Sequence, residues 1–416
     1  MSVTVRVLLG LVAGFLIGLA VAGSGSPHAT TIVAVVAPIG ALFINLIRMT
    51  MLPLVVSMLV ARIGSVSATG AVGRVAGRAM IVALLLLMGT ALISLAIAQP
   101  VLSRIHIDAS AARSLGATAS APSSTTAAPP GTPSIGDWLI GLVPQNVFTA
   151  AADGAILPVI VFAILFGLAL TRVADAPRAA VLRVVDGIAG AMQRLVGWIL
   201  ELAPVGVFAL AIPLASRLGV AAAGALLVYV VLVVSLTIAV GVGVLYPVAI
   251  LWGPLSARQF IAFCAPAQAV AFASRSSLAA MPAMVESAER ANLPPIVSGF
   301  VVPLAAAVFR VGAAVALTVG VLVLAQLYGV ALSPAQLGTV VLSVVLTTFA
   351  VPGIPGGSII AMVPVLAAVN LPTEGIAILL AVDTIPDMFR TTENVTGSLV
   401  LAAVLSRPAA PATSLR

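Results

Sequence analysis

The chain has 416 residues, 62% of them hydrophobic and only 7% charged, with a mean hydropathy of +1.26. A soluble domain of this size carries about 25% charged residues, so the composition excludes one and points to an all-α polytopic membrane protein. The net charge of +7 comes from arginine alone. Its placement in alternate connectors speaks for membrane topology and against a nucleic-acid partner.

Apolar spans are predicted at 5–23, 33–63, 78–101, 138–171, 185–214, 221–251, 293–327 and 372–405, eight in all. Val7–Ala22 reads as the first span and not as a cleaved leader. Arg62, Arg74 and Arg78 follow the second span, Arg172, Arg178 and Arg183 the fourth, and Arg258 the sixth, while Arg407 and Arg416 close the chain. The intervening connectors hold only Arg104, Arg113 and Arg217. Both termini are therefore expected to be cytoplasmic, with the basic excess facing anionic lipid. Residues 102–137, rich in Ala, Ser, Thr and Pro, read as a flexible extracellular linker. The single cysteine, Cys264, excludes an intrachain disulfide and offers no metal cluster. His28 and His106 fall in polar connectors, which leaves no imidazole at membrane depth.

Two regions, 256–290 and 336–368, are too broken for one span and too short for two. FASRSSLAAMP interrupts the first and TTFAVPGIPGGS the second. Each is predicted to be a re-entrant hairpin, two short helices meeting at a tip of small residues and proline. The alternative is a pair of amphipathic segments lying on the membrane.

The last span carries Asp383, Asp387, Arg390 and Asn394 within AVDTIPDMFRTTENVTGSLV. At 100° per residue these side chains fall within about 60° of one helix face. Ionisable groups in hydrocarbon are costly and normally face a bundle interior or a watery cavity. Two acids, a guanidinium and an amide on one stripe can grip both charges of an amino acid.

At these residues the chain resembles the dicarboxylate/amino acid:cation symporters, a family that includes bacterial glutamate transporters. LFINLIRMTMLPLVVSMLV, LVPQNVFTAAADGAILPVIVFAILFGLAL and LAPVGVFAL are similar to its second, fourth and fifth helices. SRSS and VPGIPGG are similar to its two hairpin tips, and DMFRTTENVTG to its last helix. The resemblance implies inverted repeats and a homotrimer that moves substrate by an elevator motion, with the hairpins as gates. It implies scaffold helices 1, 2 and transport-domain helix 3 within 1–101, scaffold helices 4 and 5 within 138–220, and a transport domain over 221–416. By resemblance, Arg390 pairs with a substrate side-chain carboxylate, for which a planar guanidinium fork is suited. The other reading of Arg390 is a neutralising bridge to Asp387 or Asp383. Asp387 matches the acceptor of the substrate ammonium, and Asn394 with Thr391 the binders of its α-carboxylate. Ser276 and Ser277 cap that carboxylate from the first tip. Val351–Gly357, including Pro355 and Gly356, closes over it. Arg275 is expected to pair with Asp383 as a gate contact. Arg48, Arg194 and Glu201 read as structural or interfacial.

The chain departs from the family where cations bind. The family's Asn-Met-Asp-Gly-Thr stretch is here Phe309, Arg310, Val311, Gly312 and Ala313, and a second cation-binding carboxylate is replaced by Ser398. Two carboxylates that would offset sodium dehydration are absent, and an arginine has been gained. Arg310 is expected to stand in for a bound sodium ion, with Glu393 or Asp387 as its partner; the alternative is a purely structural pair. Without sodium, coupling falls to protons, with Asp387, Asp383 and Glu393 as candidate carriers, or to exchange. No cofactor is expected. No nucleophile–base pair suggests an enzyme. The competing readings are a sodium-coupled symporter with degenerate cation sites and a binding sensor or uncoupled channel.

Overall fold

A computed structural model describes residues 3–23, 27–65, 70–104, 140–153, 155–218, 221–351, 353 and 355–406. Every regular element among them is helical, as lipid demands, because only intrasegment pairing satisfies the backbone there. In chain order these are α1 (Val3–Gly23), α2 (Pro27–Gly64), α3 (Gly70–Leu102), α4 (Val147–Ala152), α5 (Ile156–Leu170), α6 (Asp175–Glu201) and α7 (Ala203–Leu218). Then come α8 (Ala221–Val240), a π-helical turn (Gly241–Leu245) and α9 (Tyr246–Trp252). After α10 (Ala257–Ser274) and α11 (Ser277–Arg290), a second π turn (Val297–Val301) leads into α12 (Val302–Val308) and α13 (Val311–Leu327). The chain continues through α14 (Pro334–Thr348), α15 (Gly357–Ile360), α16 (Val363–Ala368), α17 (Gly375–Val382) and α18 (Thr384–Leu405). The linker expected at 102–137 lies almost wholly outside the described residues, as do His106, Arg113, Arg407 and Arg416.

Four helical stretches are long and apolar enough to cross a membrane, and α6 with α7 form a further pair bent by 57°. That bend corrects the single straight span expected at 185–214. Helix α6 starts at Asp175, so Arg178 and Arg183 sit on its first turns and not in a connector. The seventh span is also broken: Phe309 is extended at the end of α12, and Arg310 precedes α13. The last span is divided at Asp383, whose backbone ends α17 just before α18 begins.

Both interrupted regions form helical hairpins. Ser256 and Ser333 open the first arms with capping boxes, reciprocated by Gln259 and Gln336. At the first tip Arg275 adopts a left-handed φ of 54° and ends α10, and Ser276 caps α11. At the second tip Gly356 takes φ 73°, a conformation that glycine adopts without steric cost. Amphipathic segments lying flat do not fit, because α10 and α11 pack on each other and both pack on α18. Pro352 and Ile354 of the second tip lie outside the described residues.

The helices pack in two groups. Helices α1, α2, α5, α6 and α7 contact one another, and α3 joins α8 to α18. At the centre of the second group α13 is buried along nearly its whole length, because its small residues let neighbours approach closely. Gly312 shows how tight this is, since a Cβ there would collide with the backbone carbonyl of Arg390. Gly312→Ala is therefore expected to lower stability by about 1–3 kcal/mol, the usual cost of overpacking. Thermal unfolding in detergent checks this, and the same variant should bind substrate less well because α18 must shift.

The groups meet where α17 packs on α1 and α7, and α16 on α2 and α5. Arg48 makes a polar contact between them. Arg48 of α2 donates to Thr373 Oγ1 at 2.6 Å and to Glu374 Oε1 at 2.9 Å, just before α17. The expectation that Arg48 is interfacial is met by this pair.

Candidate functional site

Arg390 sits at 0% exposure in the middle of the second group. Its Nη1 and Nη2 donate to the two oxygens of Asp383 at 2.5 and 2.7 Å, and Nη2 also donates to Asp387 Oδ1 at 2.8 Å. Tyr229 of α8 donates to Asp383 Oδ1 at 3.4 Å. The partner that Asp383 takes is thus Arg390, not the expected Arg275. The break in the helix at Asp383 and the turn from Thr384 place both carboxylates against one guanidinium. Planar, multidentate pairing of this kind is what keeps buried charges tolerable. The second oxygen of Asp387 accepts from the Gly356 backbone N–H at 3.2 Å, so the second hairpin tip is bound directly to the charged stripe.

Asn394 lies one turn farther along α18. Its Oδ1 accepts from the N–H groups of Gly312 and Ala313 at 2.9 and 3.4 Å. Those N–H groups belong to the first turn of α13, which has no intrahelical acceptors for them. Asn394 is therefore a cap supplied by another helix, and both donors fix its amide so that the NH2 remains the free end. Asn394→Ala should remove the cap at a cost of about 1–2 kcal/mol, by analogy with N-cap deletions. Asn394→Asp, which keeps the acceptor, should restore stability but not substrate binding; unfolding and binding measured together distinguish the two.

The hairpin tips touch. Ser276 Oγ donates to the Gly353 carbonyl at 3.0 Å while also capping Ala279. Ser277 and Thr391 are buried nearby, and Pro355 is half-buried on the second tip. A Cβ on Gly353 would lie 2.7 Å from Arg310 Nη2, so glycine leaves room for that guanidinium. Arg310 is only 1% exposed, and its Nε and Nη2 have no hydrogen-bond partner among the described residues. The described residues show no ion pair from Arg310 to Glu393 or Asp387, which corrects the partner expected for it.

Around that arginine the aligned cation positions are apolar or occupied. A Cβ on Gly397 would fall 2.8 Å from Phe309 Cε1 and 3.1 Å from Val311 Cγ2, so both side chains pack into the space beside α18. Ser398 Oγ donates to the Asn394 carbonyl at 2.9 Å and is spent on its own helix. A hard cation needs several oxygens, and this donor set does not fit one at those positions.

A sequence profile of the sodium:dicarboxylate symporter family matches residues 3–407. The chain belongs to that family. It is 29% identical over 406 residues to the proton/glutamate-aspartate symporter of Escherichia coli (strain K12), covering 98% of this chain and 92% of the relative. It is 28% identical over 407 residues to the proton/sodium-glutamate symport protein of Bacillus subtilis (strain 168), covering 97% and 91%. A C4-dicarboxylate transport protein of Anaeromyxobacter sp. (strain K) is 29% identical over 410 residues, covering 98% and 89%. This member of the sodium:dicarboxylate symporter family is accordingly a multi-pass membrane transporter, not an enzyme.

Several residues at this symporter-family site carry no sequence signal of their own. Tyr229 lies in the apolar run LLVYVVLVV and pairs with an acid far along the chain. Gly353 is one of many glycines, and its role follows only from what approaches it. Glu393, by contrast, is legible from its charge, and the structure sets its carboxyl against Gly241.

Proposed function

We propose that the chain carries an acidic amino acid of the aspartate or glutamate type, independently of sodium, driven by protons or by exchange. The observation that carries the amino-acid reading is Asp387, a buried carboxylate shared between Arg390 and the second hairpin tip. A substrate carboxylate arriving at Arg390 displaces its bridge to one acid, and an ammonium then satisfies the acid released. A plain dicarboxylate would leave that acid without a positive partner, at the cost of a buried unpaired charge. The Escherichia coli relative, by name a proton/glutamate-aspartate symporter, supports the same reading.

The sodium-independent part rests on charge. Arg310 and Arg390 balance Asp383 and Asp387 within the site, with no cation from solution. Arg310 acts as a fixed positive charge beside the second tip, in place of a bound ion.

The two packing groups support division into a scaffold (α1, α2 and α5 to α7) and a transport domain (α3 and α8 to α18) within a homotrimer in the inner membrane. Arg48 lies about 24 Å along the helix axis from Gly64, yet it holds the loop before α17. With cytoplasmic termini, that loop is the outer edge of the transport domain, resting at mid-depth on the scaffold. This is the lowered, inward-facing position of an elevator, and the Arg48–Glu374 contact breaks when the domain rises.

Substrate choice is tested by titrating aspartate, glutamate and succinate into purified protein in sodium-free buffer. An amino acid is expected to bind at least about tenfold more tightly than succinate, a difference of about 1.4 kcal/mol. Equal affinity for succinate would contradict the role given to Asp387.

A further inference from the structure

We propose that Glu393, seated in a notch left by Gly241, is the group that carries the coupled proton; this rests on the proton-driven form of the reading above. Glu393 is buried at 6% exposure on α18, and its Oε1 has no hydrogen-bond partner among the described residues. No ion pair reaches it among the described residues. Its other oxygen occupies the place of a missing side chain, since a Cβ on Gly241 would stand 2.8 Å from Oε2. Gly241 opens the π-helical turn between α8 and α9. Such turns are rare and gather at functional positions. A glycine, a π turn and an unpartnered acid therefore coincide at one point, on the flank of α18 away from the Arg390 bridge.

A hydrogen-bonded cluster lies next to this notch. One turn beyond Glu393, Thr396 Oγ1 accepts from Gln268 Nε2 at 2.8 Å, and the same amide donates to the Tyr246 hydroxyl at 3.1 Å. Gln268 and Tyr246 are half-buried. The titratable groups that face Glu393 are the Tyr246 hydroxyl of α9 and the Cys264 thiol of α10, neither of which offers a positive charge. Arg390, Asp383 and Asp387 of the same last span are engaged with one another, and Tyr229 of α8 with Asp383. Arg310, which precedes α13, lies beside Gly353 of the second tip. An ionised carboxylate in this position has no counter-charge, whereas the neutral acid is tolerated. The protonated carboxyl travels with the loaded domain and releases its proton where the first hairpin admits water. The proton gained on one side is lost on the other, so charge and proton number balance over the cycle.

The test uses full-length Glu393→Gln in liposomes, with net uptake driven by a proton gradient and gradient-free exchange against internal substrate measured in parallel. Net proton-driven uptake should be lost while exchange continues and stops responding to pH. Gly241→Ala, which pushes the carboxyl out of its notch, should weaken net uptake more than exchange and covers the case in which Glu393→Gln does not fold. Unaltered proton-driven uptake in both variants would overturn the inference and leave the proposed transport function standing. A parent protein that ignores a proton gradient but exchanges substrate would overturn the inference alone; a parent driven only by sodium would overturn both.

Discussion

Arg310→Met should abolish measurable substrate binding while making the protein harder to unfold. The two effects have opposite signs because the guanidinium is unfavourable to the fold and favourable to the site. Its Nε and Nη2 are buried without partners among the described residues, and replacing buried charge with a well-packed apolar side chain often adds about 1–4 kcal/mol of stability. The same charge sits beside Gly353 of the second tip, which is bound to the charged stripe through the Gly356 N–H. Losing a desolvated charge from a binding site costs about 2–5 kcal/mol, or more than an order of magnitude in affinity. Binding and thermal unfolding of one purified variant test both signs. Sodium should not restore binding if Phe309 and Val311 block the cation position as they pack here; rescue by sodium would show that a latent cation site opens once the arginine is gone. Unimpaired binding in the variant would remove Arg310 from the site.

Arg390→Ala should fail in both respects. It leaves Asp383 and Asp387 buried without their cation, and breaking such a pair from one side costs about 3–5 kcal/mol. Arg390→Lys should recover part of the stability and little of the binding. A lysine keeps the charge, but a single ammonium cannot reproduce the fork that reaches both Asp383 oxygens and Asp387 at once. Stability measured against affinity across the two variants separates the loss of charge from the loss of geometry.

The contrast between these arginines explains what the sequence could reveal. Arg390 was legible because charges spaced three and four apart in an apolar run must share a helix face and must be satisfied there. The hairpins were legible because proline and glycine interrupt apolar stretches too short to cross twice. The bend between α6 and α7 had a local signal that the span reading passed over: Pro204, two residues after Leu202, has no N–H and crowds the carbonyl four residues back, which ends α6 and lets α7 start afresh at Ala203. The partner of Asp383 was not legible: local spacing allowed both Arg275 and Arg390, and the helix break at Asp383 decides for the second. Gly241 and Glu393 are the extreme case. They are far apart in the chain, and a missing methyl group is read only once the carboxyl that fills its place is seen.

Asn394 shows a subtler limit. Its side chain is expected to hold substrate through its amide, and its oxygen also caps α13. The two roles are compatible, since the cap aims the free NH2 and links the substrate stripe to the helix that follows Arg310.

The most direct test of the account is uptake of labelled aspartate and glutamate into liposomes of the purified protein, with sodium and proton gradients imposed separately. Accumulation under a proton gradient, or exchange with internal substrate, that is indifferent to sodium is the predicted result. Uptake strictly dependent on sodium would contradict it and would mean that Arg310 does not replace a bound cation.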